Sequence, residues 1–384
     1  MKAIFKDCSL SALIAGMIAT VISFAGPLVL VFHAAESAKL SHAMLSSWVW
    51  AISIGSAVIG TLLTLRYRVP VVIAWSIPGS ALPTLGLNQA IGAYLIANLI
   101  ILLVGLSGAF DRIIAKLPGS IAAGMQAGIL FSFGIDVFLS LPEQPALVMA
   151  MFLTYVAMRR VWPRYAVAAV LVVGCCVTAL SGAFRADALV YDLAQPQWVT
   201  PEFSVAATLN LALPLVLVAL TGQFMPGMAV LRSAGYQTPA SPIISASAIG
   251  GALLAPFGCH GLNLAAVTAS LCTGREAHEN PNRRYIAALS GSAIYQVFGL
   301  FGATLVSVLA AFPEALIAAL AGLALYGAIS EALTRSLSEP WERDAGLFTF
   351  LVTASGVAFL GLSAAFWGLL FGLAVHLLQV SHMG

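Results

Sequence analysis

The chain has 384 residues, 60% of them hydrophobic and 8% charged, with a formal net charge of +2. A soluble domain carries about 25% charged residues, so this composition cannot clothe a surface in water, and lipid is the expected outer solvent. The small net charge excludes an electrostatic nucleic-acid binder, and five cysteines without a CxxC pair exclude a zinc or disulfide framework.

In chain order, Lys2 and Lys6 precede an apolar stretch reaching about Phe32. It is longer than a signal-peptide core and is expected to stay as the first span. A crossing needs about 20 apolar residues. Continuous helices are therefore expected over 9–32, 43–64, 89–110, 119–140, 144–160 and 163–183 in the first half. In the second half they are expected over 204–224, 241–256, 285–311, 314–333, 345–361 and 363–380. Two more apolar segments, about 70–86 (VPVVIAWSIPGSALPTL) and 257–274 (FGCHGLNLAAVTASLCTG), are interrupted. Each predicts a short extended piece, a turn at glycine and a helix too short to cross alone.

Counting both interrupted segments gives fourteen crossings with both termini cytoplasmic. Every Lys and Arg except Lys39 and Arg185 then falls on the inner side, as the positive-inside rule asks. Dropping either one scatters these charges. The polar connection 184–202 divides the chain into seven crossings and seven. An odd number per half makes the halves inverted repeats, and the interrupted segments hold position three of each, segments 3 and 10 overall. The predicted fold class is an all-α polytopic membrane protein of fourteen segments.

Unpaired backbone inside a bilayer costs several kcal/mol per group, so the two extended pieces are expected to pair with each other or with neighbours. The half-helices after them direct free N–H groups and positive dipole ends to one midplane point, which suits an anion. The expected donors are Gly79, Ser80 and Ala81 in the first half, and Gly261, Leu262 and Asn263 in the second.

The stretches VISFAGPLVLVF (21–32), VVIAWSIPGSALP (71–83), LTGQFMPGMAVL (220–231) and PFGCHGLNLAAVTASLCTG (256–274) carry a resemblance. They resemble the seven-plus-seven transporters that include uracil and xanthine permeases and sulfate and bicarbonate carriers. Over its whole length the chain is similar to the benzoate:proton symporter family within them. That resemblance implies a bacterial inner-membrane protein working by elevator-like alternating access. It implies a core domain of 1–117 and 203–312, a gate domain of 118–183 and 313–384, and 184–202 as outer linker. It also implies a homodimer through the gate, benzoate and a proton as partners, and no cofactor. Where the nucleobase branch carries acids, this chain has Gln223 and His260, which suits a carboxylate. Phe24, Trp75, Phe224 and Phe257 lie at the interruptions and are candidates to hold a ring, with plain packing as their other role.

For the proton, ionisable groups within spans are the candidates. His260 sits at the break of segment 10 beside the expected anion and titrates readily. Asp136 is a second candidate, with a local bond to Ser132 or backbone as its alternative role. Glu331 is a third, with an Arg335 partner as its alternative, and His376 lies far from the breaks. No HExxH or GxSxG motif is present, so an embedded enzyme is not expected. An uncoupled anion channel or exchanger, or a nucleobase:proton symporter, are the alternatives on the same scaffold.

Overall fold

Because lipid offers no hydrogen bonds, a chain this apolar satisfies its backbone within helices, and the computed structural model is mostly helical. It describes residues 7–76, 86–110, 112, 118–162, 166–185, 187, 189–275, 277–357, 359 and 364–383. The first half contains α1 (Leu10–Ser37), α2 (His42–Tyr67), β1 (Ile73–Trp75), α3 (Leu87–Ser107), α4 (Gly119–Leu139), α5 (Pro145–Val161) and α6 (Ala166–Leu180). Among the described residues, six helices are long and apolar enough to cross a membrane, or up to seven when one bent pair is included.

Local signals set the boundaries. Ser41 caps α2 by accepting from the Met44 amide at 3.2 Å, and Arg68, left-handed at φ 52°, ends it. Pro145 opens α5 at a position where its missing N–H costs nothing.

The second half begins with α7, a continuous helix made of Val205–Ala207, Leu213–Ala219 and Met225–Ser233 joined by π-helical turns at Thr208–Ala212 and Leu220–Phe224. It runs nine residues beyond the expected 204–224. Each π turn lies just before a proline, Pro214 or Pro226, which cannot donate to the carbonyl four residues back. The widened turn instead carries five-residue bonds, Leu213 N–H to Thr208 O and Met225 N–H to Leu220 O.

Then come α8 (Ala240–Leu254), β2 (Leu262–Leu264), α9 (Val267–Thr273), α10 (Tyr285–Leu300), α11 (Gly302–Ala310), α12 (Glu314–Leu337), α13 (Arg343–Ala354) and α14 (Ala364–Met383). The single rod expected over 285–311 is corrected to α10 and α11, bent by 74°. The linker explains the bend: the Ala194 amide takes the Leu300 carbonyl at 2.8 Å, and Ser307 and Thr304 Oγ bond the backbones of Val190 and Asp192. The helix expected over 345–361 stops at Ala354, where Gly356 turns left-handed at φ 66°.

The helices pack in two sets. α10 lies along α1 and α2, and α8 along α3, around the strand pair. α4 lies along α12 and α13, and α13 along α14. Contacts of α12 with α1 and of α7 with α4 join the sets.

Candidate functional site

The two interrupted segments meet. β1 and β2 pair antiparallel with Ile73 opposite Leu264, Ala74 opposite Asn263 and Trp75 opposite Leu262. Flanking bonds extend the ladder: Ser76 N–H to Gly261 O at 3.0 Å and Ala265 N–H to Val72 O at 2.9 Å. This is the expected pairing of two exposed backbones at one depth.

The ladder also moves the expected donors. Leu262 and Asn263 are strand residues, and the helix after them begins only at Val267. By antiparallel alternation the Asn263 amide is spent on Ala74, while that of Leu262 points away from β1. The backbone N–H groups of Gly261, Leu262 and Asn263 therefore do not form a helix N-terminus. The strand runs farther than the glycine turn implied, because each added residue pairs another backbone group. Gly79, Ser80 and Ala81 lie outside the described residues.

Side chains on the two faces of the pair differ. Ile73, Trp75, Leu262 and Leu264 share one face, and Ala74, Ser76, Gly261 and Asn263 the other, since opposed residues project together. On the apolar face Trp75 meets Phe24 edge-on at 5.2 Å and Tyr295 at 5.7 Å, and Phe24 meets Phe298 at 4.5 Å. The structure thus brings Phe24 and Trp75 together and adds Tyr295, whose hydroxyl donates to Ser23 Oγ at 2.9 Å. No local pattern marked Tyr295, which lies within an ordinary helix. Phe257 does not join this group. Its ring packs with Trp50 and with the linker's Trp198, because the turn at Ala255–Phe257 directs it to the linker.

On the polar face Asn263 is 3% exposed and its Nδ2 has no hydrogen-bond partner. The second π turn of α7, which carries Gln223 and the fully buried Phe224, packs against β2 on one side and α4 on the other. Gln223 Oε1 is likewise buried without a partner. Unpaired buried amide groups cost about 1–3 kcal/mol each, and two of them stand beside one strand.

His260 is 0% exposed, enclosed by the rings of Trp48 at 6.0 Å and Tyr94 at 6.2 Å. Both imidazole nitrogens face the backbone of Gly258 and Ser76 without a well-formed hydrogen bond. Gly258 makes the enclosure: it turns at φ 100°, and a Cβ there would run into the Trp48 ring. Asp136 is half-buried on α4. Its suggested partner Ser132 donates instead to the Ile129 carbonyl at 3.4 Å. Glu331 is exposed on α12, and Arg335 one turn later reaches Gln126 rather than Glu331. His376 stacks near Trp341 at 5.9 Å.

The fold is shared with solved membrane transporters. The transmembrane domain of the cyanobacterial bicarbonate transporter BicA superposes with a TM-score of 0.61 at 15% identity, over 95% of this chain and 97% of that one. The murine Solute Carrier 26 family member A9 anion transporter, in its inward-facing state, gives 0.65 at 14% identity, over 98% of this chain and 69% of that one. Fold and apolar helices thus define a multi-pass helical membrane protein.

The family is narrower. Residues 6–378 match the model described as Benzoate membrane transport protein, and the chain belongs to that family of transporters, which are not enzymes. It is 46% identical to the Benzoate membrane transport protein of Acinetobacter baylyi over 98% of this chain and 97% of that one. It is 40% identical to the Inner membrane protein YdcO of Escherichia coli over 94% and 93%.

Proposed function

We propose that this protein imports benzoate or a similar aromatic carboxylate together with a proton across the bacterial inner membrane. The observation that carries the reading is the β1–β2 pair with the unpartnered donor Asn263 Nδ2 on it. The name of the 46% identical relative supplies the substrate class. In this reading the carboxylate is held by Asn263 Nδ2, with the Gln223 side-chain NH2 and the Gly79–Ala81 backbone as further donors. The ring lies against Phe224, while Phe24 and Trp75 pack on the opposite face of the pair.

The chain makes fourteen crossings as two inverted sevens with both termini cytoplasmic. A core of 1–117 and 203–312 moves past a gate of 118–183 and 313–384, and the gate also joins two copies. The separate packing of α1, α2, α3, α8 and α10 from α4, α12, α13 and α14 supports that division. His260 carries the proton, with Asp136 and Glu331 as the alternative carriers. A protonated imidazole would pair with an arriving carboxylate, so substrate and proton favour each other.

Uptake of labelled benzoate into proteoliposomes tests this. Accumulation should follow an inward proton gradient. Uptake indifferent to the gradient makes the protein an uncoupled carrier, and uptake of uracil instead of benzoate makes it a nucleobase symporter.

A further inference from the structure

A cavity of about 260 Å³ lies away from the strand pair, between α4, the second π turn of α7 and the C-terminal end of α12. Its volume is just below the ~300–1,000 Å³ that houses drug-sized ligands, so it suits a small one. One wall carries Thr221 and Gly222, the neighbours of Gln223; the other carries Ser120, Gln126 and Arg335.

The polar groups here are incompletely used. Arg335 Nη2 donates to Gln126 Oε1 at 3.0 Å, but its Nε is shut off from solvent without a partner. Nε and Nη2 form one edge of the guanidinium and point in parallel, the geometry that takes both oxygens of a carboxylate. A single amide oxygen fills half of that fork. Ser120 is 2% exposed, and its Oγ in the same cavity is also unpartnered. Two acids line the cavity as well. Glu342 is already bound, accepting from the Ser120 amide at 3.4 Å in the first turn of α4, where the helix dipole favours a negative charge. Glu339 is exposed.

We infer that Arg335 is a second carboxylate-binding station, on the route between the strand-pair site and the cytoplasm, with Gln126 as a displaceable stand-in for the substrate oxygen. The inference rests on the organic-anion reading above. Gln126 Oε1 lies 2.6 Å from where a Cβ on Gly222 would stand, so it is wedged between α12 and α7. Motion of α7 past α4 changes that contact, frees the amide from Arg335 and opens the fork to an arriving carboxylate. The arriving anion occupies Nε and Nη2, and Ser120 Oγ donates a third bond.

Oriented proteoliposomes allow the half-saturating concentration of labelled benzoate to be measured separately from each face. Arg335→Lys should raise the cytoplasmic-face value about tenfold, the worth of one charge-assisted bond, and leave the outer-face value unchanged. Gln126→Leu, which removes the competitor, should lower the cytoplasmic-face value several-fold. Equal changes at both faces, or no change at either with both variants, overturn the station. Should Arg335→Lys fail to fold, the Gln126→Leu result decides alone. Wild-type flux of benzoate with unresponsive variants sinks only this inference, whereas absence of wild-type flux sinks the transport reading beneath it.

Discussion

His260 and Arg335 both hold buried nitrogen atoms without hydrogen-bond partners, yet their surroundings are opposite. His260 is sealed behind the strand pair by Trp48 and Tyr94. Arg335 lines a cavity with acceptors and donors around it. Arg284 is a third case: 7% exposed, its guanidinium donates to the carbonyls of Thr273 and His278 at 2.7 Å and of Glu279 at 3.4 Å. The three teach that burial alone does not mark a working ionisable group. A buried base whose nitrogens each have an acceptor is structural. One with spare capacity carries an energetic debt that a ligand or proton can discharge.

The enclosure of His260 can be broken from Gly258. Gly258→Ala places a methyl group against the Trp48 ring at a left-handed backbone position, and should cost about 2–5 kcal/mol from combined overpacking and strain. Thermal unfolding in detergent measures it; an unchanged midpoint would mean the turn does not maintain the enclosure.

Arg284 sharpens the structural side. Its contact with Thr273 O ties down the C-terminal end of α9, where a cation also complements the helix dipole. Arg284→Ala should destabilise the protein by about 2–4 kcal/mol, the loss of bonds from one charged group. Any active fraction should keep its dependence on the proton gradient, and loss of coupling alone would move Arg284 to the functional side.

At His260 the expected changes run in two directions. His260→Ala should reduce proton-driven accumulation of benzoate about tenfold or more while exchange of labelled for unlabelled benzoate persists. His260→Leu removes two buried nitrogens that lack a well-formed hydrogen bond, so stability should stay the same or rise by up to about 1 kcal/mol. A clear loss of stability would show that the imidazole is hydrogen-bonded in the native state. The smallest effect is expected at Glu331, which is exposed on α12. Glu331→Gln should leave uptake and its pH profile unchanged, and a lost proton dependence would transfer the role from His260.

Much of the helical framework was legible because apolar length and helix breakers are local signals. Gly119–Leu139 and Pro145–Val161 lie within a residue of the expected helices. The extended pieces within 70–86 and 257–274 were legible too, from Pro and Gly within apolar runs, and so was their pairing. The two π turns had a readable cause in Pro214 and Pro226, but a proline alone does not say whether a helix kinks, ends or widens. The site was less legible. Phe24 and Trp75, singled out as candidates to hold a ring, pack on each other, whereas Phe257 turns to the linker, the Asn263 amide is spent in the ladder and that of Leu262 points away from β1.

By itself the sequence determined the solvent, the helical framework and the two places where helices must fail, because each follows from the polarity and backbone freedom of neighbouring residues. Tertiary structure alone decided the register of Trp75 on Leu262, the sealing of His260 by Trp48 and Tyr94, and the meeting of Arg335 with Gln126. Those contacts join residues as much as 212 positions apart, as for His260 and Trp48, and depend on how separate helices pack, which no local pattern encodes.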